Sequence, residues 1–534
     1  LLASVTSRFG GGFINEVRAS YTADTRDGSP SLAVPQGLVR TGTAFGSGTG
    51  SGRLVSTLVF GGDPSLAQES SERTFELADE LSLLVGDRHR VKLGVLANHS
   101  GFRSVNANNR LGTFTFNSLQ DFQDQRPASF TRTLSTGETS GGGWNAGAYL
   151  GDAFRPTDRL QFTFGARLEG SRFDDRPAAN PAVLSSFGVR TDYAPSEIHV
   201  SPRAGFSWRL NETGAPLKLL RGGFGEFRGR TPYELYAATL AGTGTGGELV
   251  VSCVGAAVPV PDWSAYADDP SSIPATCADG TLGGTGVVRQ PNVSLFRDGF
   301  QAPRSWRASL GFQAQLFPRI NVNVDGTFAR GVSQTGVRDL NLRAEPAFTL
   351  ASEGGRPVFA PASAIVPATG QTSIYASRND PEFAHVYELS SRLSSQTEQL
   401  SLGINGLFPR LVSAQFTYTL SHSRDQGSFG FGGPSLGFSF TPTTGNPNQV
   451  GWAPSNQDRR HSLSLVVGKT FFRALEIALI GRAGSGSPYT PLVGADINAD
   501  GARNDAAFVF PATVADTAVS GGMTRLLAAS GAAG

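Results

Sequence analysis

Lysine is nearly missing from this chain. Lys92, Lys218 and Lys469 are its only lysines among 45 Lys+Arg, and charged residues make up 17% of the 534 positions, against about 25% in ordinary soluble domains. The formal net charge of +1 argues against a dedicated nucleic-acid binder, whose affinity needs a concentrated basic surface. Only two cysteines occur, Cys253 and Cys277. Neither has a second Cys or a His at metal-binding spacing, so zinc is a poor reading. No window holds 18 consecutive apolar residues, hence no transmembrane helix, and helical periodicity is scarce throughout. What is abundant is glycine (67), proline (31) and aromatic residues (10%) in a chain that is 39% hydrophobic. That is too apolar and too near neutral for a disordered protein. It is also too rich in glycine for a helical bundle or an α/β enzyme.

The prevailing signal is strict alternation over about ten residues, the period of a strand with two different faces. Leu160, Phe162, Phe164, Ala166 and Leu168 alternate with Gln161, Thr163, Gly165, Arg167 and Glu169. Ala308 to Leu316, Ala414 to Leu420, Val91 to Ala97 and Leu463 to Val467 repeat the pattern. About fifteen strands are expected, near 2–9, 13–23, 51–60, 72–86, 89–104, 142–154, 160–174, 197–210, 217–228, 303–316, 320–332, 384–407, 411–424, 459–472 and 475–486. Connections alternate in length. Short turns fall at Gly86-Asp87-Arg88, Arg155 to Asp158, Asn211 to Pro216, Phe317-Pro318-Arg319, Phe408-Pro409-Arg410 and Phe472-Arg473-Ala474. Between the hairpins lie long Gly/Ser/Pro/Asn-rich stretches at 24–50, 175–196, 229–300, 343–382 and 425–457.

Five long loops do not suit a compact soluble domain. Short turns on one rim and long loops on the other are the pattern of an outer-membrane barrel. Lipid offers no partner to an open sheet edge, so such a sheet must close. Fifteen strands in part of a barrel imply a full count above twenty. Propellers and β-helices repeat at a fixed period, which these hairpins do not. The fold class expected is therefore all-β, a large antiparallel transmembrane barrel.

Several stretches invite a chemical reading. Asp496, Asn498, Asp500, Asn504 and Asp505, with Gly501 at the bend, place oxygen ligands at the spacing of a calcium loop. An EF-hand would need a carboxylate where Ala507 stands, so two readings stay open: a structural calcium at the rim, or Asx side chains bonding their own backbone. Cys253 and Cys277 are either two buried thiols or a loop bridge, and the flanking Gly, Pro and Asp favour the bridge. Between them Trp263, Tyr266, Asp268 and Asp269 could form a rigid aromatic tip for a ligand, or simply stiffen the loop. The six histidines, His89, His99, His199, His385, His422 and His461, are scattered over lumen and rim. Arg459 and Arg460 before His461 suit lipopolysaccharide phosphates. The Gly-rich runs, Gly242 to Gly247 among them, lack a following Lys-Ser/Thr and read as turns. No G-x-S-x-G elbow occurs, and Ser421-His422-Ser423 alternates faces, so no enzyme is expected.

Specific strings resemble a known family. Ser201-Pro202-Arg203-Ala204-Gly205-Phe206-Ser207-Trp208 and Arg221-Gly222-Gly223-Phe224-Gly225-Glu226-Phe227-Arg228-Gly229-Arg230-Thr231-Pro232 resemble paired strands of TonB-dependent outer-membrane receptors, Oar-like branch. So do Gln301 to Arg307, Asp458 to His461, and Gly484-Ser485-Gly486-Ser487-Pro488-Tyr489-Thr490-Pro491 running into Asp496 to Gly501. The resemblance covers essentially the whole chain. It implies a barrel of 22 strands, of which residues 1–534 would be a part, with 229–300 an extracellular loop. It also implies a plug that this chain lacks, reached by TonB and the inner-membrane energising complex. The opening Leu1-Leu2-Ala3-Ser4, without a signal peptide, and the closing Ser530 to Gly534 are expected of an internal piece of a longer polypeptide. The expected partners are outer-membrane lipid and lipopolysaccharide and an imported small molecule, glycan or peptide. The rivals are a passive porin and a surface adhesion barrel.

Overall fold

The computed structural model describes residues 1–44, 53–66, 68–106, 108–135, 137–212, 214–245, 249–283, 291–367, 372–408, 412–427, 430–431, 438–439, 441–472, 474–493, 495–511, 514 and 516–530. The turns expected over Pro409-Arg410 and at Arg473, and the end of the Gly242–Gly247 run, lie outside them.

Fourteen strands follow one another around a single antiparallel sheet. They are β1 (Leu2–Phe9), β2 (Phe13–Gly28), β3 (Gln68–Val85), β4 (His89–Asn106), β5 (Gly137–Thr157), β6 (Leu160–Phe173), β7 (Ser196–Arg209), β8 (Lys218–Arg228), β9 (Arg304–Phe317), β10 (Ile320–Asp339), β11 (His385–Phe408), β12 (Val412–Asp425), β13 (His461–Phe471) and β14 (Leu475–Gly484). Asn292–Phe296 adds to β11 in parallel and Ala453–Pro454 to β12. Among the described residues β1 and β14 do not pair, so the sheet is an open wall. Strands run up to 24 residues, where about 9–11 suffice to cross a bilayer. Their surplus projects from the rim that carries the long connections.

The two faces separate by chemistry. In the β6–β7 register Leu160, Phe162, Phe164 and Leu168 stand opposite Trp208, Phe206, Ala204 and Val200. Phe162, Phe164, Leu168, Val200 and Trp208 are exposed, as are Leu93, Leu150, Leu310, Leu400 and Leu479 on the same face. A contiguous apolar surface of this size is a lipid contact. The opposite face carries Glu80, whose carboxylate takes Lys92 Nζ and Tyr149 Oη, both at 2.5 Å. Arg221 and Asn323 meet on Asp325 there, at 2.9 and 3.0 Å. The helix Tyr233–Ala241 lies on this inner face, because a Cβ at Gly141 would meet Tyr236 and Leu240. Phe164→Arg is therefore expected to cost about 2 kcal/mol, read as a lower urea midpoint in lipid vesicles. Thr163→Arg, one residue away and facing inward, is expected to cost less than half of that.

The expected wall strand 51–60 is not in the wall. Arg53–Gly61 forms the edge of a second, five-stranded sheet ordered Val250–Val254, Ser129–Thr133, Thr113–Phe116, Gln36–Ala44, Arg53–Gly61. Its alternation is real, but it matches a partner inside the long loops rather than a neighbour in the wall. The stretch 229–300 is likewise not structureless. It contains Tyr233–Ala241, Val250–Val254, the helix Trp263–Asp268 and Asn292–Phe296.

Candidate functional site

The outer rim is built from two ordered loop assemblies above a polar inner wall. The first is the five-stranded sheet with its own core of Val39, Phe114, Phe116, Phe130, Val251, Tyr266 and Ile273. Cys253 and Cys277 are joined by a disulfide within that core. Trp263 sits edge-on to Phe60 (5.0 Å between centroids) and to Phe114 (5.7 Å). Tyr266 is 3% exposed and stacks on Phe114. The aromatic tip expected here does not project, because these rings are the largest apolar groups in a small module and fill its interior. Asp268 is exposed, and Asp269 accepts bonds from Ser271 N and Oγ at 2.9 and 2.8 Å. Arg132 fastens the bridge loop by donating to the carbonyls of Ile273 and Pro274.

The second assembly ties three long connections together through buried charge. Asp339, the last residue of β10, is 3% exposed. Its Oδ1 accepts from Asn341 N and Val386 N, each at 3.0 Å. Its Oδ2 meets Arg378 Nη1 and His385 Nδ1, each at 2.7 Å. Arg378 Nη2 reaches on to the Asp500 carbonyl at 2.8 Å. Buried Arg356 joins Glu353 (2.6 Å), Asp505 (3.2 Å) and the carbonyl of Ala506 (2.6 Å). No local pattern marks Asp339, Arg356 or Arg378 in the sequence, since their partners lie up to 150 positions away.

The Asp496–Asp505 loop closes this assembly. Asp496 accepts from Asp500 N and Gly501 N, Asn498 from Asp500 N, Asp500 from Ala502 N and Asp505 from Ile497 N, at 2.7–3.2 Å. Asn504 Nδ2 donates to the Thr441 carbonyl at 2.9 Å. The Asn498 and Asp500 bonds are Asx turns, and the others cap backbone further along the loop; among the described residues no three His, Cys, Asp or Glu side chains are grouped to hold a metal ion. Gly501 is required at φ +88°, where a Cβ would run into Arg378 and His385.

Burial pushes the Asp500 carboxyl up to about 7, with the Asp496 and Asp505 carboxylates adding to the rise. The folded value lies above the unfolded one, so the loop is most secure at acid pH and loses stability as pH climbs from about 4 to 7. Hydrogen exchange at 496–506, corrected for intrinsic rate, is expected to quicken between about pH 4 and 7. Asp500→Asn, which keeps the cap to Ala502, is expected to flatten that profile. Millimolar calcium in the same measurement tests whether a cation adds to the caps: renewed protection at pH 8 would show it, and unchanged exchange would leave the caps as the full account.

On the inner face, a cavity of about 590 Å³ is lined by Glu16, Arg18, Glu80, Tyr149, Arg167 and Arg203. A wall that is apolar outside, charged inside and crowned by ordered loops defines an outer-membrane β-barrel. A family model for the outer membrane beta barrel domain matches residues 1–524, and the chain belongs to that family. It is thus a protein of the outer membrane. Among solved structures, the outer membrane transporter YddB from Escherichia coli is 11% identical, covering 92% of this chain and 50% of that one, with a TM-score of 0.52. The pyoverdine outer membrane receptor FpvA from Pseudomonas aeruginosa is 13% identical over 90% and 49%, TM-score 0.44. The FrpB iron transporter from Neisseria meningitidis is 12% identical over 89% and 50%, TM-score 0.45. At these identities the likeness is one of fold, and the chain spans about half the length of each. No curated protein sequence matches it.

Proposed function

We propose that this barrel belongs to a substrate-specific outer-membrane receptor that captures its ligand at the outer loops and imports it by TonB coupling. The observation that carries the reading is the combination of a charged inner wall with ordered structure over it. The helix Tyr233–Ala241 packs on the inner face, and a disulfide-bonded sheet and a charge-locked loop assembly stand at the rim. A passive pore gains nothing from such covers, whereas a receptor needs a shaped mouth. The fold shared with the transporter YddB supports it, as do the sequence strings resembling TonB-dependent receptors. TonB and the inner-membrane complex are the partners this reading requires, and the cargo is a small molecule, glycan or peptide.

The test uses the protein as cells make it. Purified into planar bilayers, it is expected to show no steady ohmic conductance and to bind the periplasmic domain of TonB. Steady conductance without TonB binding would replace import by a passive channel. A silent barrel that ignores TonB would be a surface-binding protein.

A further inference from the structure

Charges on the inner wall mostly come in pairs. Arg18, Arg167, Arg221, Arg228 and Arg230 each have a carboxylate partner, in Glu16, Glu169, Asp325, Glu197 and Glu76. Arg203 of β7 and Arg307 of β9 are different: among the described residues neither forms an ion pair. They stand in one row across three strands, with Gly225 of β8 between them. Gly225 shares the inner face with Arg221, four positions earlier on the same strand. A side chain there would crowd the row, since a Cβ at Gly225 would come within 2.9 Å of Arg203 Cγ. With glycine in place, the two guanidinium groups converge over the Phe227 ring, 4.3 and 5.0 Å from its centroid.

Arg203 also borders two adjoining cavities. The smaller, about 190 Å³, has Asn145, Arg167, Glu169, Arg203, Arg228 and Arg230 in its lining. Of these four arginines, Arg228 is tied to Glu197 and Arg167 to Glu169. Arg230 has its carboxylate only at 3.9 Å, and Arg203 has none. The space lies beside the helix Tyr233–Ala241, whose Tyr233 Oη donates to the Gly143 carbonyl at 3.0 Å, two positions from Asn145. The larger is the cavity of about 590 Å³ with Glu16, Glu80 and Tyr149, and Arg167 and Arg203 line both.

Two guanidinium groups over one ring repel each other, and the attraction of the ring face offsets that only in part. An oxyanion between them turns the repulsion into attraction, and the planar forks suit it bidentately. Lipid behind the wall keeps the dielectric low and focuses the field of an unmatched charge into the lumen. The larger cavity falls in the range of small-molecule sites, about 300–1,000 Å³, and the smaller is below it. That division suits a solute whose anionic end enters the smaller space while its body occupies the larger.

We propose that this part of the inner wall binds the oxyanion, carboxylate or phosphate, of a small organic solute. Arg203 is its main contact, with Arg167, Arg230 and Arg307 around it. The proposal deepens the receptor reading by giving the cargo a negative charge. As a statement about cargo it rests on that reading, whereas the site itself requires neither TonB nor transport.

The test is isothermal titration calorimetry on the full protein, purified from outer membranes in neutral detergent at low salt. The probes are glucuronate and glucose 6-phosphate, with glucose as the uncharged control. At least one anion is expected to bind about tenfold or more tightly than glucose, and the tighter of the two identifies the oxyanion. R203Q is expected to lose about tenfold toward that anion and nothing toward glucose. The substitution strands no carboxylate, so insertion is expected to survive it. Arg330→Gln makes the same charge change on the lipid face, two positions from exposed Phe328, and is expected to alter nothing. No preference for either anion over glucose would overturn the site, as it would if a carboxylate of the protein itself filled it. Unchanged binding by R203Q would overturn it too, and so would an equal loss in Arg330→Gln, which would reduce the effect to net charge. Should R203Q not insert, the wild-type salt dependence decides: anion affinity constant from low to molar salt overturns the proposal. A protein that ignores TonB yet prefers the anion keeps the site and loses only import. One that engages TonB without that preference loses only the site.

Discussion

Asp339→Ala is expected to release the outer loop assembly while leaving the wall standing. The substitution strips Arg378 and His385 of their shared carboxylate and leaves Asn341 N and Val386 N without an acceptor. Breaking a buried pair by removing one partner costs about 3–5 kcal/mol, because the surviving charge stays desolvated. Arg378 also holds the Asp500 carbonyl, so the loss spreads to the Asp496–Asp505 turns. Limited proteolysis should then cut within 343–384 and 495–506 while β1 to β14 remain protected. A cleavage pattern like that of the wild type would show that the loops are held by other contacts. Asp339→Asn distinguishes charge from geometry, since it keeps one acceptor oxygen for the backbone amides yet removes the ion pairs.

Removing the bridge, as Cys253→Ala/Cys277→Ala, is expected to loosen the five-stranded sheet by about 3 kcal/mol, the loop-closure value for a loop of this order. The module has little else to rely on, since its core is one small aromatic cluster around the sulfurs. Exchange at Ser129–Thr133 and Val250–Val254 should accelerate by about two orders of magnitude, in line with that free energy. The β6–β7 pairing, which shares no core with the module, should not change. Under the proposed function the same variant should bind cargo poorly yet still insert, separating the rim's role from the wall's. Equal protection with and without the bridge would mean that the aromatic packing suffices.

Much of this protein is readable before folding because a membrane wall obeys a local rule. Each strand must show hydrocarbon at every second position, and a two-residue period is visible within ten residues. Leu160 to Leu168 and Ala308 to Leu316 fall on the lipid face as their alternation requires. The short turns register the hairpins for the same reason. Arg53–Gly61 shows the limit of that rule. Alternation reports two unlike faces, but a loop sheet with a buried side has them too, so periodicity cannot say which sheet a strand joins. Tyr266 and Trp263 show another limit, since an aromatic pair in a polar loop reads alike whether it projects or fills a core.

Composition and period thus carried the class of fold, the compartment and the direction of the wall's two faces, all consequences of what lipid tolerates. Long-range pairing alone brought together Asp339 with Arg378, Arg356 with Asp505, and Arg330 with Arg424 on either side of Gln396. Electrostatic partners need only be close in space, and strands from distant parts of a chain become neighbours when the register is set. No pattern of nearby residues encodes that distance.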